Sequence, residues 1–385
     1  MYLVRTEEIR AGMRLGKTIA TPTGKALLTA GTALKESYIQ PLLNQGVWSV
    51  YVINELAPDV NPEDVVSETT RRAVAKELGA VLDQVATVFQ EASRKRVLQF
   101  TVGIDGERLK EAVGKVVDDI LNNPGVVYNL KDIRSADEYT LGHCVNVCLL
   151  STLLGTVMGY NTTELKDLAI GALLHDIGKV ATPPEILNKP GPLTTEEFEI
   201  MSQHTTIGWM MLKDQRTIRY TSAIVALQHH ERWAGGGYPK GLREEQIYRH
   251  SRICAIADCF DAMTSDRVYR KGMSPAKALQ TILNGMNGYF QPGLAWSFCQ
   301  CIAPYPVGSM VELSDGSQAV VVNVQRGKTF QPRIRVLMDR GGRELAGQFE
   351  LETEEHPEIQ IVRMLREESP EFSPGLVEQM DPVAE

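Results

Sequence analysis

The sequence predicts a mainly α-helical protein with a small mixed α/β module before the helical body and a small β domain after it. Three observations predict this. From about 125 to 303 the pattern is helix after helix, broken by loops rich in Pro and Gly. Residues 1–55 instead hold short apolar runs around a turn signal. Near residue 306 the pattern changes again, to short strands around Asp315-Gly316.

Each element follows in order. In residues 1–55, Thr21-Pro22-Thr23-Gly24 is a turn between apolar runs. Tyr38, Ile39, Leu42 and Leu43 suit a short helix within 35–45, and Gly46 can end it in a left-handed cap. Val47–Ile53 reads as a strand. Residues 56–62 carry two prolines and read as a linker. A helical region, 63–124, comes next. Val74, Leu78, Val81, Leu82, Val85, Val88 and Phe89 share one helical face within 63–98, and a second amphipathic run covers 106–121. Residues 125–305 form the main helical domain. In 306–365, Met310–Leu313 and Ala319–Val322 read as a hairpin. Arg333–Val336 and Ile359–Val362 read as further strands. The acidic, proline-bearing 366–385 is expected to be disordered.

Bulk properties narrow the function. A chain of 385 residues with 43% hydrophobic and 23% charged residues can bury a sizeable core. The net charge of −8, with no long basic run, argues against DNA or RNA as a partner. No apolar stretch approaches the roughly 20 residues of a membrane span, and the N-terminus lacks a signal-peptide pattern. The six cysteines match no zinc-knuckle spacing and read as buried thiols in a reducing cytoplasm.

The chemistry lies in histidine and aspartate. His143, His175, His204, His229 and His230 all fall in the helical region. His175-Asp176 and His229-His230 are adjacent pairs, and neighbours on a helix point about 100° apart. One member of a pair can then face one metal while the other bridges to a second. Asp258 lies in a further helix. Such a donor set suits Fe, Mn, Ni or Zn, and an aspartate between two ions ~3.5–4 Å apart suits phosphoester hydrolysis. A lone histidine is ordinarily a core or surface residue. Five of them, three in such pairs, favour metal. His250 and His356 lack partners at ligand spacing and read as non-ligands. Met201, Met210 and Met211 sit at helical spacing and read as core, and Trp233 is open between packing and stacking.

The motifs carry a resemblance. The order His143, His175-Asp176, Asp258 resembles the HD phosphohydrolase superfamily. The segment His229-His230-Glu231-Arg232-Trp233-Ala234-Gly235-Gly236-Gly237-Tyr238-Pro239 resembles the naming motif of its HD-GYP subgroup. His175-Asp176-Ile177-Gly178-Lys179 and the run from Ile256 to Arg267 match two further motifs. The resemblance is close over about 130–303 and weaker in the flanking modules. It implies an all-helical HD-GYP catalytic domain that hydrolyses a cyclic dinucleotide such as cyclic di-GMP to linear pGpG, and on to GMP in some members. The hydroxide would be activated by two divalent ions. His143, His175, Asp176 and Asp258 would form one metal site. His204, His229 and His230 would complete a second, bridged by Asp176.

Further roles follow from the resemblance. Lys179 would contact the scissile phosphate and protonate the leaving oxygen; as a bare residue it is a solvated helix-end lysine. Arg267 and Arg270 would hold ligand phosphates, a guanidinium matching phosphate in a bidentate way; their plain alternative is a surface salt-bridge helix. Tyr238 would stack or hydrogen-bond near the ligand, and Gly237 would allow close backbone approach. Two departures stand out. Ala234 replaces the aspartate that usually precedes the first glycine. A three-metal subset carries Glu four residues before the first histidine, where this chain has Tyr139 with Glu138 one residue off, so two metals are expected. A cyclic-dinucleotide sensor with weak turnover, or a changed substrate such as a mixed cyclic dinucleotide or a mononucleotide, stays open. A homodimer and a diguanylate cyclase partner are further expectations for the flanking modules.

Overall fold

The computed structural model describes residues 1–20, 26–45, 47, 49–94, 103–123, 127, 139–265 and 272–365. The first module pairs β1 (Tyr2–Arg5) with β4 (Ser49–Val52), and β2 (Ile19–Ala20) with β3 (Ala26–Leu28), both antiparallel. Between them lies α1 (Ile39–Asn44), entered through a 3-10 turn at Glu36–Tyr38. Val4, Leu15, Leu34, Leu42 and Val50 close a separate small core. The turn at Thr21–Gly24 and the cap at Gly46 lie outside the described residues.

The helical body begins with α2 (Glu68–Arg94) and α3 (Gly106–Asn122). In α3 the buried positions Leu109, Ala112, Val113, Val116 and Ile120 follow a helical stripe. Then come α4 (Tyr139–Val157), α5 (Thr162–Leu173), the short α6 (Pro184–Leu187), α7 (Thr195–Leu212) and α8 (Tyr220–Gln228). The body ends with α9 (Arg249–Thr264), α10 (Pro275–Asn284) and α11 (Pro292–Cys299). Side-chain caps mark the starts of α5, α7 and α10. Asn161 with Glu164, and Thr194 with Glu197, form capping boxes on α5 and α7, each cap contributing about 1 kcal/mol.

Helix α4 is the axis of the core. It packs against α5, α9, α2, α3 and α11. It corrects one expectation: the 18-residue window Thr140–Val157 has a mean hydropathy of 1.5, enough by length and composition to cross a membrane, yet 72% of it is buried inside the protein. A helix apolar all round is a core helix when other helices surround it. Each fully buried Leu or Ile here, such as Leu149, Leu150 and Leu154, contributes about 1.5–3 kcal/mol.

The last region is a five-stranded antiparallel sheet. Its strands are β5 (Met310–Leu313), β6 (Gln318–Asn323), β7 (Arg333–Met338), β8 (Glu344–Glu352) and β9 (Ile361–Met364), in the order β8-β7-β6-β5-β9. The hairpin predicted at Asp315-Gly316 joins β5 to β6, with Gly316 at φ +87°. The 56–62 segment is no free linker. Ala57 and Val60 are buried against Val320 and Leu337 of the sheet.

Candidate metal centre

Each donor is placed by a helix or a helix end. His143 lies in the first turns of α4, and His204 in the middle of α7. His229 caps the C-terminus of α8, with His230 next, and Asp258 lies in α9. His175 and Asp176 are not on a helix as expected. Helix α5 ends at Leu173, and Asp176 caps a 3-10 turn, Ile177–Ala181. Gly178 explains the change. A Cβ there would collide with the His204 carbonyl and the Gly208 amide. The turn therefore presses against α7, which brings Asp176 to His204.

All seven side chains meet in two adjoining groups. Ligand atoms of Asp176, His204, His229 and His230 lie within 4.8 Å of one another, and so do those of His143, His175 and Asp258. Asp176 faces both groups. Its Oδ1 is 3.4 Å from His204 Nε2 and 3.7 Å from His229 Nε2. Its Oδ2 is 3.3 Å from His175 Nε2 and 3.8 Å from His143 Nε2. Asp258 Oδ1 lies 3.1 Å from His143 Nε2.

The set fits a metal. His175 Nε2 and Asp176 Oδ1 are buried and make no hydrogen bond, which is costly unless something else satisfies them. Burial pushes His204 down to about 4 and His230 to about 3, and holds His229 well below its usual value. These imidazoles are neutral near pH 7, with a lone pair to give. Burial opposes the charge on Asp176, but His175, Lys179 and His204 overcome it and hold the carboxyl well below the usual range. Burial likewise opposes the charge on His143, and Asp258 and Asp261 prevail, raising it well above its usual value. A metal at this position would displace that proton.

The remaining predicted residues divide. Lys179 Nζ donates to Asp176 Oδ2 at 2.6 Å. Burial disfavours its charge, yet Asp176 and Asp258 raise its pKa, so it is an ammonium. The Tyr238 ring stacks on His230, centroids 4.7 Å apart and planes at 23°, and burial keeps its hydroxyl protonated. A Cβ on Gly237 would sit 2.5 Å from the Arg232 amide and the His230 carbonyl, so this position admits only glycine. Arg267, Arg270 and Glu138 lie outside the described residues. Trp233 packs under Arg252, 5.5 Å from guanidinium to ring centroid. Ala234 is exposed, its amide donating to the Gly288 carbonyl. His250 and His356 stand outside both groups. Met211 is buried, but Met210 is 60% exposed and is not core: one residue further round α7, it leaves the face that Gly208 and Met211 present inward.

Sequence reasoning passed over three residues. Asp261 Oδ2 accepts from His143 Nδ1 at 2.7 Å, and Asn146 Nδ2 donates to Asp261 Oδ1 at 2.9 Å. Glu231 is buried and accepts the amides of Lys240 and Leu242, tying the loop after His230. The i, i+3 spacing of Asp258 and Asp261 on one helix face was the available signal.

Residues 131–294 match the HD domain family, and residues 310–372 match the KOW domain associated with HD domain. The chain is 37% identical over 233 residues to a cyclic di-GMP phosphodiesterase of Pseudomonas aeruginosa, covering 60% of this chain and 56% of that one. It is 42% identical over 163 residues to a cyclic di-GMP phosphodiesterase of Thermotoga maritima, covering 42% of this chain and 44% of that one. It is 31% identical over 208 residues to a 3′3′-cGAMP-specific phosphodiesterase of Vibrio cholerae, covering 53% and 39% respectively. The chain spans about half the length of these relatives, or less. Residues 131–294, where the His-Asp and Gly-Tyr-Pro motifs lie, are thus similar to the HD domain family and to these phosphodiesterases.

Proposed function

We propose that this chain hydrolyses a phosphodiester of a cyclic dinucleotide, cyclic di-GMP first among them, at a two-metal centre. The observation that carries the reading is Asp176, a buried carboxylate with one oxygen toward each histidine group. His143, His175 and Asp258 would hold one ion, and His204, His229 and His230 the other, with Asp176 between them. When bound, such a pair supplies Lewis acidity toward a phosphodiester and toward water. Fe and Mn are the first choices, and Ni and Zn fit the same donors.

The side chains supply the rest. His204 and His229 donate Nδ1–H to main-chain carbonyls, which leaves Nε2 unprotonated toward the centre. Asp176 and Asp258, held as carboxylates, offset cationic charge there. Lys179 holds a proton on Nζ beside Asp176 and delivers it to the oxygen that leaves phosphorus. Hydrolysis then adds the elements of water across one P–O bond and opens the ring to a linear dinucleotide, pGpG, with GMP as a second product if the reaction repeats. The half-buried Tyr238 steadies His230 and offers its hydroxyl to the ligand, while Gly237 lets the backbone approach. Arg267 and Arg270 are assigned to the ligand phosphates. The names of the relatives support cyclic di-GMP, and one of them supports a mixed cyclic dinucleotide.

The test is metal content of anaerobically purified protein, with chromatography of products from cyclic di-GMP and from 3′3′-cGAMP. About two metals per chain and a linear dinucleotide are expected. Asp176→Ala should lose both metal content and turnover. A variant with wild-type hydrolysis would sink the assignment, and tight binding of ligand without cleavage would establish the sensor reading instead.

A further inference from the structure

Four of the clustered histidines are gripped from behind. His175, His204 and His229 donate Nδ1–H to main-chain carbonyls, of Ala172 at 2.7 Å, Met201 at 2.7 Å and Val225 at 3.0 Å. His143 differs. Its Nδ1 donates to a carboxylate, Asp261 Oδ2, at 2.7 Å. Asp261 is 1% exposed, and its other side-chain partners are donors. Asn146 Nδ2 reaches Oδ1 at 2.9 Å, and Ser265 Oγ reaches Oδ2 at 3.1 Å. A carboxylate so surrounded accepts on both oxygens, so the shared proton belongs to His143 Nδ1. That leaves Nε2 turned toward the centre, 3.1 Å from Asp258 Oδ1.

We propose that Asp261 is a positioning residue that makes the two ion positions unequal, so that the one built from His143, His175 and Asp258 fills first and holds more tightly. The proposal rests on the two-ion reading above. A main-chain carbonyl orients an imidazole, but it carries only a partial charge. A carboxylate also raises the basicity of the ring, and loss of such a partner typically costs 10–100-fold in metal affinity. The position of His204, His229 and His230 has neutral imidazoles and the shared Asp176 alone. The position of His143 adds Asp258 in front and Asp261 behind. Asp261 also joins α4 to α9, because His143 and Asn146 both come from α4. It therefore fixes the distance between two ligand-bearing helices as well as the ring of one ligand.

The experiment is titration of the metal-stripped full chain with Mn(II), counting free ion by electron paramagnetic resonance. Two separated steps are expected for the wild type. Asp261→Asn keeps the shape but sets an amide NH2 against the Asn146 or Ser265 donor. It should weaken the first step by about 10–100-fold and move the second by less than about threefold. A first step within about twofold of wild type overturns the proposal. So does equal weakening of both steps, which general disorder of the core would give. A wild type that binds both ions with one affinity also overturns it. A wild type that binds no Mn(II) fails the two-ion reading itself, a separate result. If Asp261→Asn does not fold, the wild type loaded with Zn(II) and labelled with 15N-histidine decides. A His143 proton on Nδ1 supports the proposal, and a proton on Nε2 overturns it.

Discussion

At the scale of single residues, two buried histidines of one helical body behave oppositely because their neighbours differ. His143 has carboxylates on both ring nitrogens. His250, at the start of α9, has only the Thr221 carbonyl at 3.2 Å on Nδ1, and its Nε2 is buried without a partner. Burial lowers it to about 4. The sign follows directly. The unfolded chain takes up this proton near 6.5 and the folded chain only near 4, so the contribution is nil above pH 6.5. Stability is lost as pH falls through that window. Between pH 7 and pH 5 this amounts to about 2 kcal/mol. Urea unfolding of wild type and His250→Gln at both pH values checks it. The stability difference between the two proteins should shift by that amount in favour of the variant at pH 5, and an unchanged difference would refute the burial argument. The same residues show what a sequence can tell. The resemblance named His143, His175, Asp176, His204, His229, His230 and Asp258, and the fold gathers their side chains into two groups. Asp261 lies in the matched run from Ile256 to Arg267, but its role escaped notice because it touches the back of His143 and not the centre itself.

At the scale of elements, helical periodicity found α2, α3 and the run from α4 to α11, and alternation found the strands around Asp315-Gly316. It missed β8 (Glu344–Glu352) and the places where two elements touch. His175 and Asp176 read as helical because the apolar run before them is helical. The helix stops because the following turn must slide under α7, and only a glycine at 178 permits the approach. This makes Gly178→Ala a test of how the centre is assembled. The added methyl meets main chain on two sides, which cannot swing away as a side chain would, so the turn must retreat from α7. Overpacking of this kind costs about 1–3 kcal/mol, and the retreat separates Asp176 from His204. Lower stability in urea, together with loss of metal from the His204, His229 and His230 position, is the expected result. Thr194→Ala, at the cap of the same helix, should cost about 1 kcal/mol and leave metal content unchanged. If both variants lost metal alike, loosening of α7 as a whole would explain the first result and the close-approach argument would fail.

At the scale of the whole molecule, the least legible feature was the role of residues 54–62, because a segment with two prolines and no period carries no pattern to read. Packing gives it one. Along β6 and β7 the side chains alternate. Ala319, Val321, Ile334 and Val336 join one core, while Val320 and Leu337 turn to the other face. Ala57 and Val60 cover that second face, and Asp59 pairs with Arg335 at 2.7 and 2.8 Å alongside. The segment before the helical body is thus bound to the sheet after it. Two kinds of force hold it there, and magnitudes rank them. The Asp59 carboxylate is mostly exposed, with a side chain 62% accessible, and such pairs are worth about 0–1 kcal/mol. Arg335 still pulls the Asp59 carboxyl down to about 2, so whatever the pair contributes persists through neutral pH and fades only as pH falls from about 4 through 2. Leu337 is fully buried, and its truncation costs about 2–5 kcal/mol. In full-length protein, Asp59→Asn should therefore lower stability by less than about 1 kcal/mol and leave residues 54–62 resistant to limited proteolysis. Leu337→Ala should lower it several-fold more and open that segment to cleavage, with metal content unchanged. The reverse ranking would mean that the ion pair, and not the apolar face, fastens the segment before the helical body to the sheet after it.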